Sequence, residues 1–434
     1  MSTTLTIQHI GPIEDVTLPI RRLTILIGEQ GAGKSTIAKV LSFCLWVEKE
    51  CSMSQSFDAF AVPGYFASSL ERFHKMKGYL REDSFIRYTS DTLAFTYERG
   101  RFEAEWRLGR WDYLRRKTLY LPAERNMISV VENWFDINLP DNSTRSMLRE
   151  WEYARKHYPR QDFVSILDRA EYYYGQSDGE DYLLSSDAQV RMKEASSGFQ
   201  SLVPLIVLLQ FYGYDYYVKY FSDYISILQT QRSVDAFRRS YAEVVGRELT
   251  DKENKLIQVF RESGIPPSPL GESYAHTLVD NERTREAMKL AHNLMVPHDT
   301  TFVIEEPELS LYPSAQADLL RYIVRVVLSP DFGHSVLMTT HSPYMLAALS
   351  TLITASEVGQ IAPSETERIE PKVNWVKYES VGVWKLFSIS DTGEEVRDLM
   401  DPSLRMVETE AIDDASDEEM AKIEALLDLK YESV

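Results

Sequence analysis

Gly28-Glu29-Gln30-Gly31-Ala32-Gly33-Lys34-Ser35 fits the phosphate-loop pattern G-x-x-x-x-G-K-[ST], and the fold expected for this chain follows from it. The apolar run 23–27 before it predicts a buried strand, and residues 35–49 after it have the apolar spacing of a helix. A strand, a glycine-rich turn and a helix N-terminus together present backbone N–H groups to a phosphate. The alternative, a chance match in a loop, does not explain why both flanks are correct.

The phosphate loop assigns chemistry to individual residues. Its glycines permit the tight path and the close approach of the backbone to a ligand. Lys34 is predicted to neutralise the β- and γ-phosphates of ATP, and Ser35 is predicted to bind Mg²⁺. The predicted nucleotide contacts are Gly28, Gln30, Gly31, Ala32, Gly33, Lys34, Ser35 and Thr36.

A second motif, Phe302-Val303-Ile304-Glu305-Glu306-Pro307-Glu308, is an apolar strand that ends in adjacent carboxylates. Neighbouring side chains of a strand point to opposite sides, which separates their roles. We expect Glu305 to hold Mg²⁺ and its water shell, and Glu306 to polarise the attacking water. The alternative is an acidic strand end that only faces solvent.

Two weaker motifs complete the pattern. Ser196-Ser197-Gly198-Phe199-Gln200 precedes an apolar helix and could form another anion site at its N-terminus. Thr339-Thr340-His341-Ser342-Pro343 follows an apolar strand, so His341 is expected at the ligand-binding edge of an α/β sheet. Taken alone, each of these short stretches is equally compatible with a purely structural role.

The order of these motifs resembles the ABC-type ATPase heads of the Rad50, SMC, RecF and transporter superfamily. The resemblance covers about residues 3–46, 118–127, 190–210 and 300–350. Three motifs are most similar in sequence to stand-alone ATPases grouped as AAA-15 or AAA-21, which are related to the overcoming-lysogenization-defect proteins. They are the acidic motif, the histidine motif and Tyr120-Leu121-Pro122-Ala123-Glu124-Arg125.

This resemblance implies roles for the matched residues and ATP and Mg²⁺ as cofactors. Lys34, Glu306 and His341 would be catalytic, with His341 sensing the γ-phosphate, while Ser35 and Glu305 would bind the metal. The resemblance implies that Ser197, Gly198 and Gln200 contact ATP held by a second subunit, in a head-to-tail dimer. Arg125 is expected near the nucleotide or the dimer interface, without a defined role.

The chain departs from the family pattern in three places. Phe199 stands where transporter ATPases have glycine, and Ser310-Leu311-Tyr312-Pro313 stands where the branch reads His-Leu-His-Pro. No glutamine can be chosen for the transporter Q-loop. These departures put in doubt the contacts that the resemblance implies between subunits. They do not affect the residues that the resemblance assigns to phosphate chemistry.

The predicted fold class is α/β: an ABC-type P-loop ATPase head with a mixed central sheet, an N-terminal antiparallel β lobe and helical insertions. We expect a Walker A lobe at 1–135, a helical region with the signature motif at 136–300, a Walker B lobe at 301–406 and an acidic tail at 407–434. Residues 93–106 are expected to form a hairpin, and so are 373–378 with 384–389. Residues 143–175 and 200–296 are expected to be mostly helical.

Composition excludes several classes of protein. The 434 residues have 44% hydrophobic side chains, no run near 18 apolar residues and no secretory signal, so we expect a cytosolic protein without membrane contact. Two cysteines are too few for a disulfide framework or a zinc site. The net charge of −19, of which −8 lies in residues 407–434, argues against a protein that binds nucleic acid over its whole surface.

Two local clusters leave alternatives open. A basic and aromatic stretch could contact nucleic acid by phosphate contacts and stacking, or be an ordinary solvated face. A tyrosine-rich helical segment is expected to pack within the insertion or at an oligomer interface rather than to stack on bases. The first cluster comprises Arg99, Arg101, Arg107, Arg110, Arg115, Arg116 and Lys117 with Trp106, Trp111 and Tyr113; the second comprises Tyr212, Tyr214, Tyr216, Tyr217, Tyr220 and Tyr224.

The resemblance implies an ATPase that controls a partner effector, a nuclease or toxin, in defence against phage or foreign DNA, as in Septu-like or PARIS-like systems. No nuclease activity of its own is expected, because a TOPRIM-type Asp-x-Asp and a His-Asn-His cluster are missing from the sequence. DNA or a phage component could be a further partner. The alternatives are a RecF- or Rad50-like ATPase that acts directly on DNA and a scaffold that binds ATP with little hydrolysis.

Overall fold

The computed structural model describes residues 3–131, 138–186, 188–220, 227–263, 277–279, 281–388 and 395–408, with side chains from 231 onward in the fourth range. Two features singled out above lie outside these residues: Tyr224 and residues 409–434 of the acidic tail.

The centre of the molecule is a six-stranded sheet with the order β15-β14-β3-β13-β12-β7. Its strands are β3 (Leu23–Gly28), β7 (Arg116–Leu121), β12 (Asp299–Glu305), β13 (Ser335–Thr340), β14 (Val381–Leu386) and β15 (Val396–Asp398). All neighbours pair in parallel except β14 and β15. Because parallel strands end at the same edge, the phosphate loop after β3, the carboxylates of β12 and the histidine after β13 meet there.

Both faces of the central sheet are covered, which explains why its strands are apolar throughout. Ile25, Phe302 and Met338 belong to one hydrophobic cluster, whereas Leu26 and Val303 belong to another on the opposite face. The alternation follows from the two-residue period of a strand. The first cluster is shared with helices of the middle and C-terminal parts, and the second with α1 (Lys34–Ser54) and the N-terminal lobe.

The N-terminal lobe is a five-stranded antiparallel sheet with the order β2-β1-β4-β5-β6. Its strands are β1 (Thr3–Ile10), β2 (Ile13–Ile20), β4 (Leu80–Thr89), β5 (Leu93–Glu98) and β6 (Arg101–Trp106). The last two form the predicted hairpin. Together with the central sheet and the helices, this lobe confirms the predicted α/β class with a mixed central sheet and an N-terminal antiparallel β lobe.

Helices cover the sheets and make up most of the middle of the described chain. The helices after α1 are α2 (Asp58–Ala61), α3 (Tyr65–His74), α4 (Met127–Val130), α5 (Ser143–Arg155), α6 (Ser197–Gln210), α7 (Tyr216–Val218), α8 (Ile227–Val245), α9 (Asp251–Ser263), α10 (Glu282–Met295), α11 (Pro313–Val327), α12 (Pro343–Val358) and α13 (Pro363–Ile369), with a π-helical turn at Phe211–Asp215. The helical character predicted for 200–296 is confirmed within the described residues.

Two local predictions are wrong. Residues 143–175 are helical only as far as Arg155, because β8 (Val164–Ile166) and β9 (Ala170–Tyr174) continue into β10 (Asp181–Ser185) and β11 (Ala188–Arg191) as an antiparallel sheet. The hairpin of 373–378 with 384–389 does not form, since β14 pairs with β3 and β15 instead. The remaining strands, β16 (Met400–Asp401) and β17 (Met406–Val407), pair with each other. None of the described helices is long and apolar enough to cross a membrane.

Candidate nucleotide-binding site

The phosphate loop leaves β3 at Gly28 and enters α1 at Lys34, with Gly33 as the N-cap. Gly28, Gly31 and Gly33 all have positive φ, and a side chain at Gly28 would collide with the carbonyl oxygen of Leu386 at 2.1 Å. Glycine is therefore required for the loop path and for the contact with β14. Gln30 and Gly31 are exposed, Ser35 is half-buried, and Ala32 and Thr36 are buried.

The Lys34 ammonium lies inside the loop and is only 5% exposed. Its Nζ donates to the carbonyl oxygens of Gly28 at 2.7 Å and Glu29 at 2.6 Å, which uses two of its three hydrogens. Burial lowers the pKa of Lys34 to about 8, while the negative charges of Glu306, Glu308 and Glu29 oppose that shift. The lysine is thus coupled electrostatically to Glu306 and Glu308, the carboxylates that follow β12.

Glu305 is buried at the end of β12 and accepts a hydrogen bond from the Tyr120 hydroxyl on the neighbouring strand β7. Burial raises the pKa of Glu305, whereas the Tyr120 hydrogen bond and the charge of Lys39 lower it. Tyr120 thereby fixes the orientation of the carboxylate and favours its ionised form. The sequence alone assigns Tyr120 no role, because its partner Glu305 lies 185 residues away.

Glu306 turns out of the strand with a φ of 44°, in the left-handed region. Its backbone N–H donates to the carbonyl oxygen of Thr339 at 3.0 Å, which ties it to the end of β13. Its carboxylate lies 3.9 Å from Nε2 of His341, and both side chains are about one-third exposed. The predicted base and the predicted sensor therefore lie next to each other on an open face of the site.

Glu308 is the third carboxylate of the acidic motif, and sequence reasoning gave it no role. One of its oxygens accepts a hydrogen bond of 2.7 Å from the backbone N–H of His341. The bond joins the turn after β12 to the turn after β13. Glu308 therefore holds the histidine loop in place beside Glu306.

Arg125 is fully buried at the end of β7 and holds several parts of the site together. Its guanidinium donates to the carbonyl oxygens of Glu305 and Glu306, both at 2.7 Å, and to that of Pro307 at 3.2 Å. It also donates to the carbonyl oxygen of Ser201 in α6 at 3.3 Å. Arg125 is thus a positioning residue that joins the acidic motif to the helix of the signature motif.

The signature motif lies at the start of α6, against the segment that follows the acidic motif. Ser197 begins α6 and is exposed, Gly198 lies against the carbonyl oxygen of Ser310, and Gln200 donates through Nε2 to the carbonyl oxygen of Lys193 at 2.9 Å. Among the described residues, no hydrogen bond or ion pair joins these three residues to the phosphate loop. Tyr312, which is 76% exposed, stands on the segment that Gly198 contacts.

The donor set at this edge of the sheet fits Mg²⁺. Mg²⁺ prefers hard oxygen ligands and usually takes only one or two protein ligands beside phosphate oxygens and water. Ser35 supplies a half-buried hydroxyl, and Glu305 supplies a buried carboxylate of which only Oε1 accepts from Tyr120. These are the two residues predicted from the sequence to bind the metal.

The basic and aromatic stretch does not form one exposed face. Arg110 is buried between the rings of Trp106 and Trp111 and pairs with Glu243 at 2.8 Å. Arg116 pairs with Asp299 at 3.2 Å. Arg107, Arg115 and Lys117 are also engaged in bonds to the protein, which leaves Arg99 and Arg101 on the exposed hairpin. The expectation of a simple solvated face is therefore wrong for the buried Arg110, and nucleic-acid contact by this stretch stays a prediction.

The tyrosine cluster packs inside the molecule, as predicted. Tyr212 and Tyr216 are buried, and Tyr212 donates to Glu150. Tyr217 is bonded to Thr300 through its hydroxyl at 2.7 Å. Tyr214 is the member of the described cluster that is exposed.

Comparison with known families gives one match. Residues 246–346 match the AAA ATPase domain family. The matched stretch contains Glu305, Glu306 and His341 and leaves out the phosphate loop. This part of the chain is therefore similar to an ATPase domain, which supports the prediction of an ATPase. No curated protein matches the chain significantly.

Solved structures give only remote similarity. The SMC head domain from Thermotoga maritima is 10% identical, with 80% of this chain and 91% of that chain covered and a TM-score of 0.34. The Smc head domain bound to the C-terminal domain of ScpA from Pyrococcus furiosus is 10% identical, with 80% of this chain and 91% of that chain covered and a TM-score of 0.33. The recombination mediator protein RecF is 9% identical, with 89% of this chain and 96% of that chain covered and a TM-score of 0.29. At these values no property of those proteins can be transferred to this chain.

Proposed function

We propose that this chain is an ABC-type ATPase that hydrolyses Mg-ATP between two head-to-tail subunits. The observation that carries the proposal is the convergence of Lys34, Glu305, Glu306 and His341 at one edge of the sheet, together with the match of residues 246–346 to an ATPase domain. In this proposal residues 1–135 and 301–406 form the nucleotide-binding head, and residues 136–300 carry the signature motif.

Each residue of the site has a task in phosphoryl transfer to water. The Lys34 ammonium neutralises charge on the β- and γ-phosphates, and the loop glycines bring backbone N–H groups to the same oxygens. Glu306 accepts a proton from the attacking water, and His341, 3.9 Å away, donates a hydrogen bond to the γ-phosphate. Ser35 and Glu305 would hold Mg²⁺, which supplies further charge neutralisation when bound.

We propose the dimer from the exposure of the signature motif. No hydrogen bond or ion pair joins Ser197 or Gly198 to the phosphate loop within the described residues, and Ser197, Tyr312 and His341 are all exposed. A second chain in head-to-tail arrangement would bring its own Ser197 and Gly198 to this ATP and exclude bulk solvent from the site, while the attacking water stays at Glu306. ATP binding would therefore favour the closed dimer, and hydrolysis would reopen it.

ATP turnover by the purified chain tests the proposal. Lys34→Ala and Glu306→Gln should each reduce the release of phosphate by at least about 100-fold, the usual contribution of a positioned base or a phosphate-neutralising group. Glu103→Gln is the matched control, because Glu103 is exposed on the β6 hairpin strand. Turnover that is equal in all four proteins would refute the proposal.

We further propose that ATP-driven closure in the cytosol controls a partner effector, a nuclease or toxin, in defence against phage or foreign DNA. This role is inferred from the resemblance of the acidic and histidine motifs to those of stand-alone ATPases. Phage infection of cells that carry the chain and its adjacent gene is the test, with survival expected to fall in Lys34→Ala and Glu306→Gln. Full protection by Glu306→Gln alone would favour a scaffold that only binds ATP, and protection at the wild-type level by both variants would contradict the proposal.

Direct action on DNA is the less favoured function. The cations that could contact phosphates on the basic stretch are mostly engaged within the protein, as Arg110 is with Glu243. We expect no shift of a DNA duplex in an electrophoretic assay at about 50 mM salt, where binding through phosphate contacts is strong.

A further inference from the structure

A cavity of about 630 Å³ lies beside the edge strand β7, between α1, α3 and the tyrosine cluster. Its volume falls within the range of small-molecule sites. Lys49 on its wall stands fifteen residues after Lys34 on α1, so the two are about 22 Å apart along the helix. The body of the cavity is therefore separate from the phosphate loop, although Tyr120 lines it and bonds to Glu305.

The cavity is rich in positive charge. Five cationic side chains line it against two carboxylates, those of Asp141 and Glu150, although Arg115, Arg116 and Lys117 are also bonded within the protein. Burial lowers the pKa of Lys49, and repulsion from Lys117 and Arg115 lowers it further, against the opposing effect of Glu50. The cations are Lys49, Arg72, Arg115, Arg116 and Lys117.

Aromatic rings form much of the remaining wall. Trp46 and Phe73 come from α1 and α3, and Tyr212 and Tyr216 come from the tyrosine cluster. Lys117 stands 4.4 Å from the centre of the Tyr212 ring, so cationic and aromatic groups alternate on this wall. Such a lining suits a planar ring joined to an anion.

His74 provides an independent indication of a ligand. It is 1% exposed, lines the cavity, and has no hydrogen-bond partner at Nδ1 or Nε2 within the described part of the chain. Its ring packs edge-on against Tyr120, with 4.9 Å between the centroids. A buried polar group without a partner is rare in folded proteins because it is costly, and such a group at the wall of a cavity points to a ligand that would bind it.

We propose that this cavity is a second ligand site, which takes a nucleotide-sized molecule with a phosphate and a planar base. The phosphate would bind Lys49 and Arg72, the base would lie among the aromatic rings, and an imidazole nitrogen of His74 would form a hydrogen bond with it. Because Tyr120 lies between His74 and Glu305, the ligand would contact the same tyrosine that orients the acidic motif.

Isothermal titration calorimetry with AMP, GMP, CMP and UMP tests this site on the full chain. At least one monophosphate should bind with one site per chain, more tightly than either inorganic phosphate or its own nucleoside. Lys34→Ala should bind it with unchanged affinity, so failure of the ATPase proposal would leave this result standing. The double variant Lys49→Ala with Arg72→Ala should weaken binding by at least about tenfold, the loss expected when charge-assisted contacts are removed.

Two further variants make the test specific. Lys77→Ala removes an exposed cation just after α3 and should leave affinity unchanged. His74→Phe keeps a ring against Tyr120 but removes both nitrogens, and it should weaken binding by about tenfold. The proposal is overturned if no monophosphate binds, if binding is lost in Lys34→Ala, or if the Lys49 and Arg72 variant and His74→Phe both bind as wild type does.

Discussion

Arg125→Met removes a buried guanidinium that donates to five backbone carbonyl oxygens. The two bonds of 2.7 Å, to Glu305 and Glu306, contribute about 1.5–3 kcal/mol each, because the donor is charged. Methionine fills the space but removes both charged donors, and the Glu306 carbonyl oxygen keeps only the backbone N–H of Leu309 at 3.1 Å. Burial lowers the pKa of Arg125 to about 10, so relief of this desolvation offsets part of the loss. We expect the free energy of unfolding to fall by about 3–5 kcal/mol.

Equilibrium urea unfolding, followed by circular dichroism, measures this change. Arg125→Lys keeps the charge but loses the planar fork, so it should lose about half as much stability. Arg169→Met is the control, since its ion pair with Asp318 is exposed and should contribute less than about 1 kcal/mol. A loss for Arg125→Met no larger than that of Arg169→Met would refute the positioning role.

Three further predictions concern titrating groups. Burial lowers the pKa of Lys34 to about 8, so the ammonium loses its proton above that pH. In calorimetry, the dissociation constant for ATP should therefore be constant below pH 8 and rise by up to about tenfold per pH unit above it. Lys34→Arg keeps its charge and should show no such rise. Burial lowers the pKa of His74 to about 3 in the folded protein, below the value of 6.5 that applies to the unfolded chain. As the pH falls below 6.5, the unfolded chain binds a proton at His74 and the folded protein does not, so the free energy of unfolding decreases. In urea unfolding, His74→Phe should therefore gain about 2 kcal/mol over wild type between pH 7.5 and 5, and an equal loss in both proteins would contradict this assignment. In Tyr120→Phe the pKa of Glu305 should rise, and the acid limb of the ATPase pH profile should move to higher pH; an unchanged limb would contradict the role of Tyr120.

The parts of the fold and site that the sequence predicts correctly are those with local signals. The phosphate loop is specified within eight residues by glycine positions, and β3 and α1 flank it as expected. The acidic strand end and the hairpin of β5 and β6 are also readable within a few residues. Their positions in the sheet follow from general rules for parallel strands.

The parts that could not be predicted depend on partners distant in sequence. Arg110 looks like a surface residue, but its carboxylate partner Glu243 lies 133 residues away. Strands β8 to β11 were mistaken in part for helix, because short strands with mixed polarity carry a weak periodic signal. Arg125 stood in a quoted motif, yet its role depends on carbonyl oxygens of Glu306 and Ser201 that only the fold brings to it.

If ATP is held between two subunits, nucleotide binding changes the mass of the particle in solution. Glu306→Gln should bind Mg-ATP without hydrolysing it, so sedimentation velocity should show a nucleotide-dependent increase from a smaller particle to one of twice its mass. Adding Ser197→Arg to Glu306→Gln places a bulky cation on the exposed start of α6 and should abolish that increase while ATP binding persists. An unchanged mass with Mg-ATP in Glu306→Gln, or full assembly in the double variant, would contradict the binding of ATP between two subunits.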